Sequence, residues 1–128
     1  MKELLLWIYA INAIMLIVHE MDSAYQHEWK LFNLKGGVDG FLIIHIPLLG
    51  LIFWGFLEVY KFSFTGIIFL IALSIVGIGA FFIHRFFIKK GHKEFTSTVS
   101  QMILKSTLVI SICQLALTIN FIIKGGLT

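Results

Sequence analysis

Four long apolar stretches, separated by short polar segments, dominate the chain and predict four transmembrane helices. The stretches cover about residues 4–25, 38–60, 62–87 and 99–123. Each is close to the 20 or so apolar residues that a helix needs to cross a hydrocarbon core of about 30 Å. Together they use most of the chain. The sequence therefore predicts one transmembrane domain over residues 1–128, an all-α integral membrane four-helix bundle.

The first stretch differs from the others because its purely apolar part is too short to cross a membrane. The run from Leu4 to Val18 rises only about 22 Å at 1.5 Å per residue. The helix must therefore continue through the polar segment that begins at His19 and reaches Tyr25. Ionisable side chains consequently lie at or just inside the membrane boundary.

Composition supports a membrane protein and changes the interpretation of the charge. The chain is 59% apolar and only 13% charged, whereas soluble domains carry about 25% charged residues. The net charge of +3 is interpreted through the positive-inside rule and anionic lipid headgroups rather than nucleic acid. The expected partner is the lipid bilayer, with no nucleic acid.

Basic residues indicate the orientation of the helices. The connections after the first and third helices, with the end of the third, contain Lys30, Lys35, Arg85, Lys89, Lys90 and Lys93; the opposite side contains Lys2, Lys61 and Lys124. Because cytoplasmic loops carry the excess of Lys and Arg, we expect these two connections in the cytoplasm. The prediction is a multi-pass protein of the cell membrane with both termini outside.

Histidines are concentrated on the same predicted side. The five are His19, His27, His45, His84 and His92. His45 lies within an apolar span, so its side chain should face the bundle interior and find a partner, because polar groups are costly in hydrocarbon.

Carboxylates accompany these histidines at the end of the first helix. His19 and Asp22 are three residues apart and share a helix face, while Glu20 projects about 100° away. Continuing the helical pattern places Glu28 on roughly the opposite face of the helix from His19 and Asp22, toward solvent. A helix that offers His and Asp to a histidine of its neighbour is one way in which helical bundles build metal sites.

The sequence thus predicts a divalent metal site, with zinc or iron as the candidate ion, since imidazole and carboxylate suit both. The predicted metal ligands are His19, Asp22, His45 and His84, and the predicted catalytic groups are Glu20 and His27. A simpler interpretation is that these side chains only form hydrogen bonds with headgroups, water or backbone carbonyls.

Four functions are compatible with this pattern. The first is a membrane-embedded hydrolase-like enzyme whose metal-activated water acts on a lipid-like substrate. The second is proton or ion transport by a homo-oligomer. The third is electron transfer by a haem with His45 and His84 as axial ligands. The fourth is a non-catalytic accessory subunit of the membrane. The sequence does not separate them.

Two motifs carry a resemblance to a known family. They are H-E-x-D-x-A-Y-x-x-E-W, from His19 to Trp29, and F-L-x-x-H-x-P-L, from Phe41 to Leu48. In these motifs, and over nearly its whole length, the chain resembles a small bacterial membrane-protein family of unknown function. The resemblance implies a four-span architecture and a functional role for the segment of acidic residues and histidines. It implies no particular activity.

Overall fold

Four long α-helices make up almost the entire computed structural model, which describes residues 1–93 and 95–126. They are α1 (Lys2–Tyr25), α2 (Gly37–Tyr60), α3 (Phe64–Lys89) and α4 (Thr98–Ile123), with a single 3₁₀ turn at Glu28–Lys30. All four are long and apolar enough to cross a membrane. The predicted all-α four-helix architecture of a multi-pass membrane protein is therefore confirmed. The single domain predicted for residues 1–128 includes Glu94, Leu127 and Thr128, which lie outside the described residues.

Helix boundaries follow the local sequence closely. Each helix begins and ends within two residues of its predicted span, and α1 continues through the polar segment to Tyr25, as its short apolar run requires. The helix α3 begins only at Phe64 because Ser63 caps it, with the Ser63 hydroxyl accepting a hydrogen bond from the Gly66 amide at 2.9 Å. Ser97 caps α4 in the same way.

Packing divides the helices into a central pair and two flanking helices. The helices α1 and α3 contact each other, and both α2 and α4 pack against this pair. The helix α2 is the most peripheral, since 11% of its apolar window is buried, compared with 28–33% in the other helices. One side of α2 is consequently free to border a groove with α1 and α3.

A buried polar network joins three helices near the middle of the bundle. The Asn12 amide donates to Gln114 Oε1 at 3.0 Å, and the Ser111 hydroxyl donates to Asn12 Oδ1 at 3.1 Å. The Gln114 amide donates to the carbonyl of Leu70 at 2.7 Å. Such hydrogen bonds hold transmembrane helices together because hydrocarbon offers polar groups no other partner.

Successive helices run in opposite directions, so the α1–α2 and α3–α4 connections lie at the same end of the bundle. These connections comprise residues 26–36, 90–93 and 95–97. We call this the loop end. The side chains with metal-binding chemistry lie at and just below it.

Candidate metal centre

Three side chains from three separate elements converge at the loop end. They are His19 of α1, Glu28 of the 3₁₀ turn and His84 of α3, and their potential ligand atoms all lie within 4.8 Å of one another. The His84 Nε2 atom is 3.5 Å from Glu28 Oε1. The His19 and His84 rings lie with their centroids 4.6 Å apart. We call these three residues the His–Glu–His cluster.

The cluster is shielded from its surroundings. His19, Glu28 and His84 are exposed to only 2%, 7% and 3% respectively. Phe95, also buried, lies over both imidazoles, with its ring centroid 4.2 Å from that of His84 and 6.0 Å from that of His19. The cluster therefore occupies an enclosed site in which electrostatic interactions are strong.

Within this site the imidazole nitrogens lack the hydrogen bonds that buried polar atoms normally make. Across residues 1–93 and 95–126, neither nitrogen of His84 and not the Nδ1 of His19 has a hydrogen-bond partner. Leaving such an atom buried and unpaired costs about 1–3 kcal/mol. A metal ion bonded to its ligands at about 2.0–2.1 Å in tetrahedral geometry holds them about 3.4 Å apart. The 3.5 Å separation of His84 Nε2 and Glu28 Oε1 fits that spacing.

Charge around the cluster also fits a cation. Burial raises the pKa of Glu28 to about 7; the Ser23 hydroxyl beside it opposes the rise, and the nearby Glu20 and Asp22 carboxylates add to it. In the part of the chain that the structure describes, none of the three carboxylates forms an ion pair with Lys or Arg. A bound divalent cation would compensate this concentration of negative charge.

The position of Glu28 differs from the sequence-based expectation. Extending the helical pattern of α1 directs Glu28 toward solvent, and that expectation is wrong, because α1 ends at Tyr25. His27 then adopts a left-handed backbone conformation with φ of 56°. The chain reverses there, so the following turn folds Glu28 back over the end of the bundle, where the buried Trp29 packs against Phe41 with ring centroids 5.6 Å apart.

His45 lies outside the cluster because both of its ring nitrogens are already engaged. Its Nδ1 is 2.7 Å from the carbonyl oxygen of Phe41, and its Nε2 is 2.7 Å from Glu20 Oε2. A carbonyl can only accept, so Nδ1 donates its proton to Phe41. The contact between Nε2 and Glu20 then requires one further proton, carried by either partner. His45 and Glu20 thus form a close hydrogen-bonded pair.

The structure brings together half of the predicted ligand set. His19 and His84 meet, joined by Glu28, which the sequence-based site omits. Asp22 lies beside them: its Oδ2 atom is buried and has no hydrogen-bond partner among the described residues, and its carboxylate interacts electrostatically with His84. His27, predicted as catalytic, is exposed and packs edge-on against Trp29 rather than joining the cluster.

The haem alternative finds little room in this packing. The imidazole of His84 lies against His19 and Phe95, with ring centroids 4.6 and 4.2 Å away. The Nε2 atom of His45 is engaged by Glu20. A porphyrin held between His45 and His84 would require both imidazoles to leave these contacts.

Comparison with known proteins identifies the family but not an activity. A family model described as Family of unknown function (DUF6713) matches residues 5–121, a range that contains the whole cluster. Neither the search of curated proteins nor that of solved structures finds a match. The family match and the four apolar helices confirm the predicted resemblance to a four-helix family of unknown function. The chain therefore belongs to the Family of unknown function (DUF6713).

Proposed function

We propose that this protein binds one divalent transition-metal ion at the His–Glu–His cluster and uses it to activate water. The observation that carries the proposal is the pair of buried imidazoles, His19 and His84, that lack hydrogen-bond partners and face the Glu28 carboxylate. Without an ion the arrangement leaves polar atoms unsatisfied in an apolar protein. With an ion the same atoms become its ligands.

The ligand set favours a catalytic ion over a purely structural one. Structural zinc sites usually have four protein ligands and are rich in cysteine, whereas catalytic sites often combine two His and one Glu with an open position for water. The cluster supplies His19, Glu28 and His84. Zinc or iron(II) is the proposed ion, since both accept imidazole and carboxylate.

We assign Asp22 as the group that accepts the proton of the metal-bound water. Support comes from its buried, unpartnered Oδ2 atom and from its electrostatic interactions with His84 and Glu28. A metal-bound water has a pKa far below that of bulk water, so a carboxylate can take its proton near neutral pH. A bound ion would supply an activated water as the nucleophile of a hydrolase-like reaction, and Asp22 would hold the proton released from it.

A lipid-like substrate fits the location of the cluster within a four-helix membrane bundle. Glu28 lines a cavity of about 220 Å³ that is otherwise formed largely by apolar and aromatic side chains, including Trp29 and Phe41. We further propose that the loop end faces the cytoplasm of a cell membrane and both termini lie outside, because the two connections at this end carry the excess of basic residues.

Metal binding is expected to weaken as the pH falls below neutral. The pKa of Glu28, about 7 rather than the ordinary 4.5, means that the metal-free protein holds a proton there at about pH 6, which an ion must displace. We expect zinc affinity to fall by up to about tenfold per unit below pH 7. Competition with a chromophoric chelator, using chelator-stripped protein in detergent, measures this affinity.

The opposite sign holds for the contribution of Glu28 to the stability of the metal-free protein. Because the folded state binds the Glu28 proton more tightly than the unfolded state, the difference in free energy of unfolding between the wild type and Glu28→Gln should become less favourable to the wild type as the pH rises from about 4.5 to about 7. Added zinc should reverse that loss above neutral pH. The two test values, about pH 6 and pH 8, lie on either side of the Glu28 pKa of about 7. Equal zinc affinity at both, or no zinc uptake at either, contradicts the proposal.

A further inference from the structure

A second feature of the bundle is an apolar groove between α2 and the α1–α3 pair. It has a volume of about 210 Å³. One end is formed by Tyr9, Ile52 and Phe69, with the Tyr9 hydroxyl donating to the carbonyl of Ile52 at 3.0 Å. The other end, toward the loop end, is formed by Glu20 and His45. We call it the α2 groove.

Carboxylate and imidazole groups lie at only one end of the α2 groove, and the Tyr9 hydroxyl at the other end already donates to the Ile52 carbonyl. The walls between the ends are aliphatic, with Leu16, Leu48 and Leu73 among them. Among the described residues, no Lys or Arg lines the groove. A long apolar channel with one polar end matches an amphiphile, whose chain lies along the walls while its head group meets the Glu20–His45 pair.

The dimensions of the groove select a single chain over a helix. From His45 to Ile52 the groove follows seven residues of α2, about 10 Å at 1.5 Å per residue. The helix α2 packs against both α1 and α3, and the Tyr9 hydroxyl bonds to the Ile52 carbonyl at 3.0 Å across one end of the groove. A helix with its side chains is about 10–12 Å across, so a helix of a second copy cannot enter between these packed helices. The groove suits one polymethylene chain.

The polar end of the α2 groove also adjoins the metal centre. Glu20, His45 and Leu48 line both the groove and the neighbouring cavity that reaches Glu28. A head group held by the Glu20–His45 pair therefore lies on the side of the groove that leads to the His–Glu–His cluster. Among the described residues no Lys or Arg lines either cavity, so the carboxylates of Glu20 and Glu28 disfavour an anionic head group.

From these observations we infer that the α2 groove binds one acyl chain of a neutral amphiphile and presents its ester or amide head group to the metal centre. The inference rests on the proposed function, because it names the substrate class of that site. The Glu20–His45 pair positions the head group by hydrogen bonding. The distance from this pair to Tyr9 along the groove sets the length of acyl chain that fits.

Photolabelling of the full-length protein in detergent tests the inference. The probe is a fatty alcohol whose extended chain matches the groove length of about 10 Å, with a diazirine near its methyl end, and a second probe carries the diazirine near the hydroxyl. Mass spectrometry should map the first adduct to the end formed by Tyr9, Ile52 and Phe69 and the second to the end near His45. An even distribution around the lipid-facing surface, or a reversed order of the two adducts, overturns the inference.

A pair of matched variants makes the labelling specific. Ala72 lines the groove, and Ala116 is an exposed alanine of α4 that does not. Ala72→Trp should lower labelling at the groove by at least about tenfold, because excluding even two methylene groups from apolar contact lowers binding by roughly that factor. Ala116→Trp should leave labelling unchanged. Equal labelling of the two variants contradicts the inference.

Two further readouts separate this inference from the proposed function and from other occupants. Zinc uptake is measured on the same samples. Zinc uptake without groove labelling contradicts the inference but not the proposed metal site. Groove labelling without zinc uptake contradicts the proposed metal site but not lipid binding in the groove. An uncharged monoacylglycerol should compete with the probe better than a phosphate-bearing single-chain lipid. Stronger competition by the anionic lipid, or a crosslink between two copies of the chain through the groove, overturns the assignment.

Discussion

Replacing His84 by phenylalanine is expected to abolish tight metal binding while leaving the metal-free protein at least as stable as the wild type. The binding free energy of a structural zinc site is about 10–16 kcal/mol in total. Losing one of three protein ligands should therefore weaken zinc affinity by at least about 100-fold. The metal-free variant no longer buries two unpartnered nitrogens. That change favours folding by about 1–3 kcal/mol, and the phenyl ring can occupy the space beside Phe95.

This combination distinguishes a metal ligand from a structural histidine. A histidine kept only for packing or hydrogen bonding destabilises the fold when it is replaced. The matched control is His92→Phe, an exposed histidine outside the cluster, which should leave zinc affinity unchanged. Chelator competition and chemical unfolding in detergent provide both values. A His84→Phe protein that keeps its zinc, or that unfolds more easily than metal-free wild type, counts against the site.

Replacing Glu28 by glutamine is expected to have a comparably large effect on metal affinity. The amide keeps the shape of the side chain but removes the negative charge that the ion requires, so we expect a loss of about 100-fold or more. The raised pKa of Glu28 adds a second signature, because the variant no longer has that carboxyl proton to displace. Its zinc affinity should therefore depend less steeply on pH between about 6 and 8 than that of the wild type.

Two comparison variants make the Glu28 result decisive. Glu58→Gln changes a carboxylate at the opposite end of the bundle, where it pairs with Lys61 at 2.8 Å, and should retain zinc. His45→Ala should also retain zinc, because His45 is engaged by Phe41 and Glu20 instead of the cluster. If His45→Ala loses the metal and Glu28→Gln keeps it, the ligand set predicted from sequence is correct and the cluster described above is not.

The architecture was predictable from sequence because each span needs only length and apolarity. The short apolar run before His19 even required α1 to continue to Tyr25, and the structure confirms that extension. These features depend on one helix and its solvent at a time, which is the information a sequence pattern contains.

The identity of the third ligand was not predictable in the same way. The helical period places residues reliably only while the helix lasts, and no glycine marks the reversal after Tyr25; His27 takes the left-handed conformation instead. Glu28 therefore lies against the bundle, although the helical pattern directs it outward. His45, in contrast, has the polar partner that the sequence predicts. Sequence spacing within α2 does not show that this partner is Glu20 of α1 and not a shared metal ion.

A bound metal ion would also explain why the polar end of α1 is tolerated at the membrane boundary. Ionisable groups there are costly unless they are paired or bound to a cation. His45 and Glu20 satisfy each other, whereas in the described part of the chain His19 Nδ1 and both nitrogens of His84, beside Glu28, have no hydrogen-bond partner. An ion shared by the last three residues would satisfy the polar atoms that the helix packing alone leaves without hydrogen bonds.

X-ray absorption spectroscopy of zinc-loaded protein tests the central claim most directly. The account predicts one zinc ion per chain with two imidazole nitrogens and a carboxylate oxygen at about 2.0–2.1 Å. The imidazole scattering should decrease in the residual metal bound by His84→Phe. Failure of the stripped protein to take up zinc, or a first shell of water oxygens without imidazole scattering, contradicts the account.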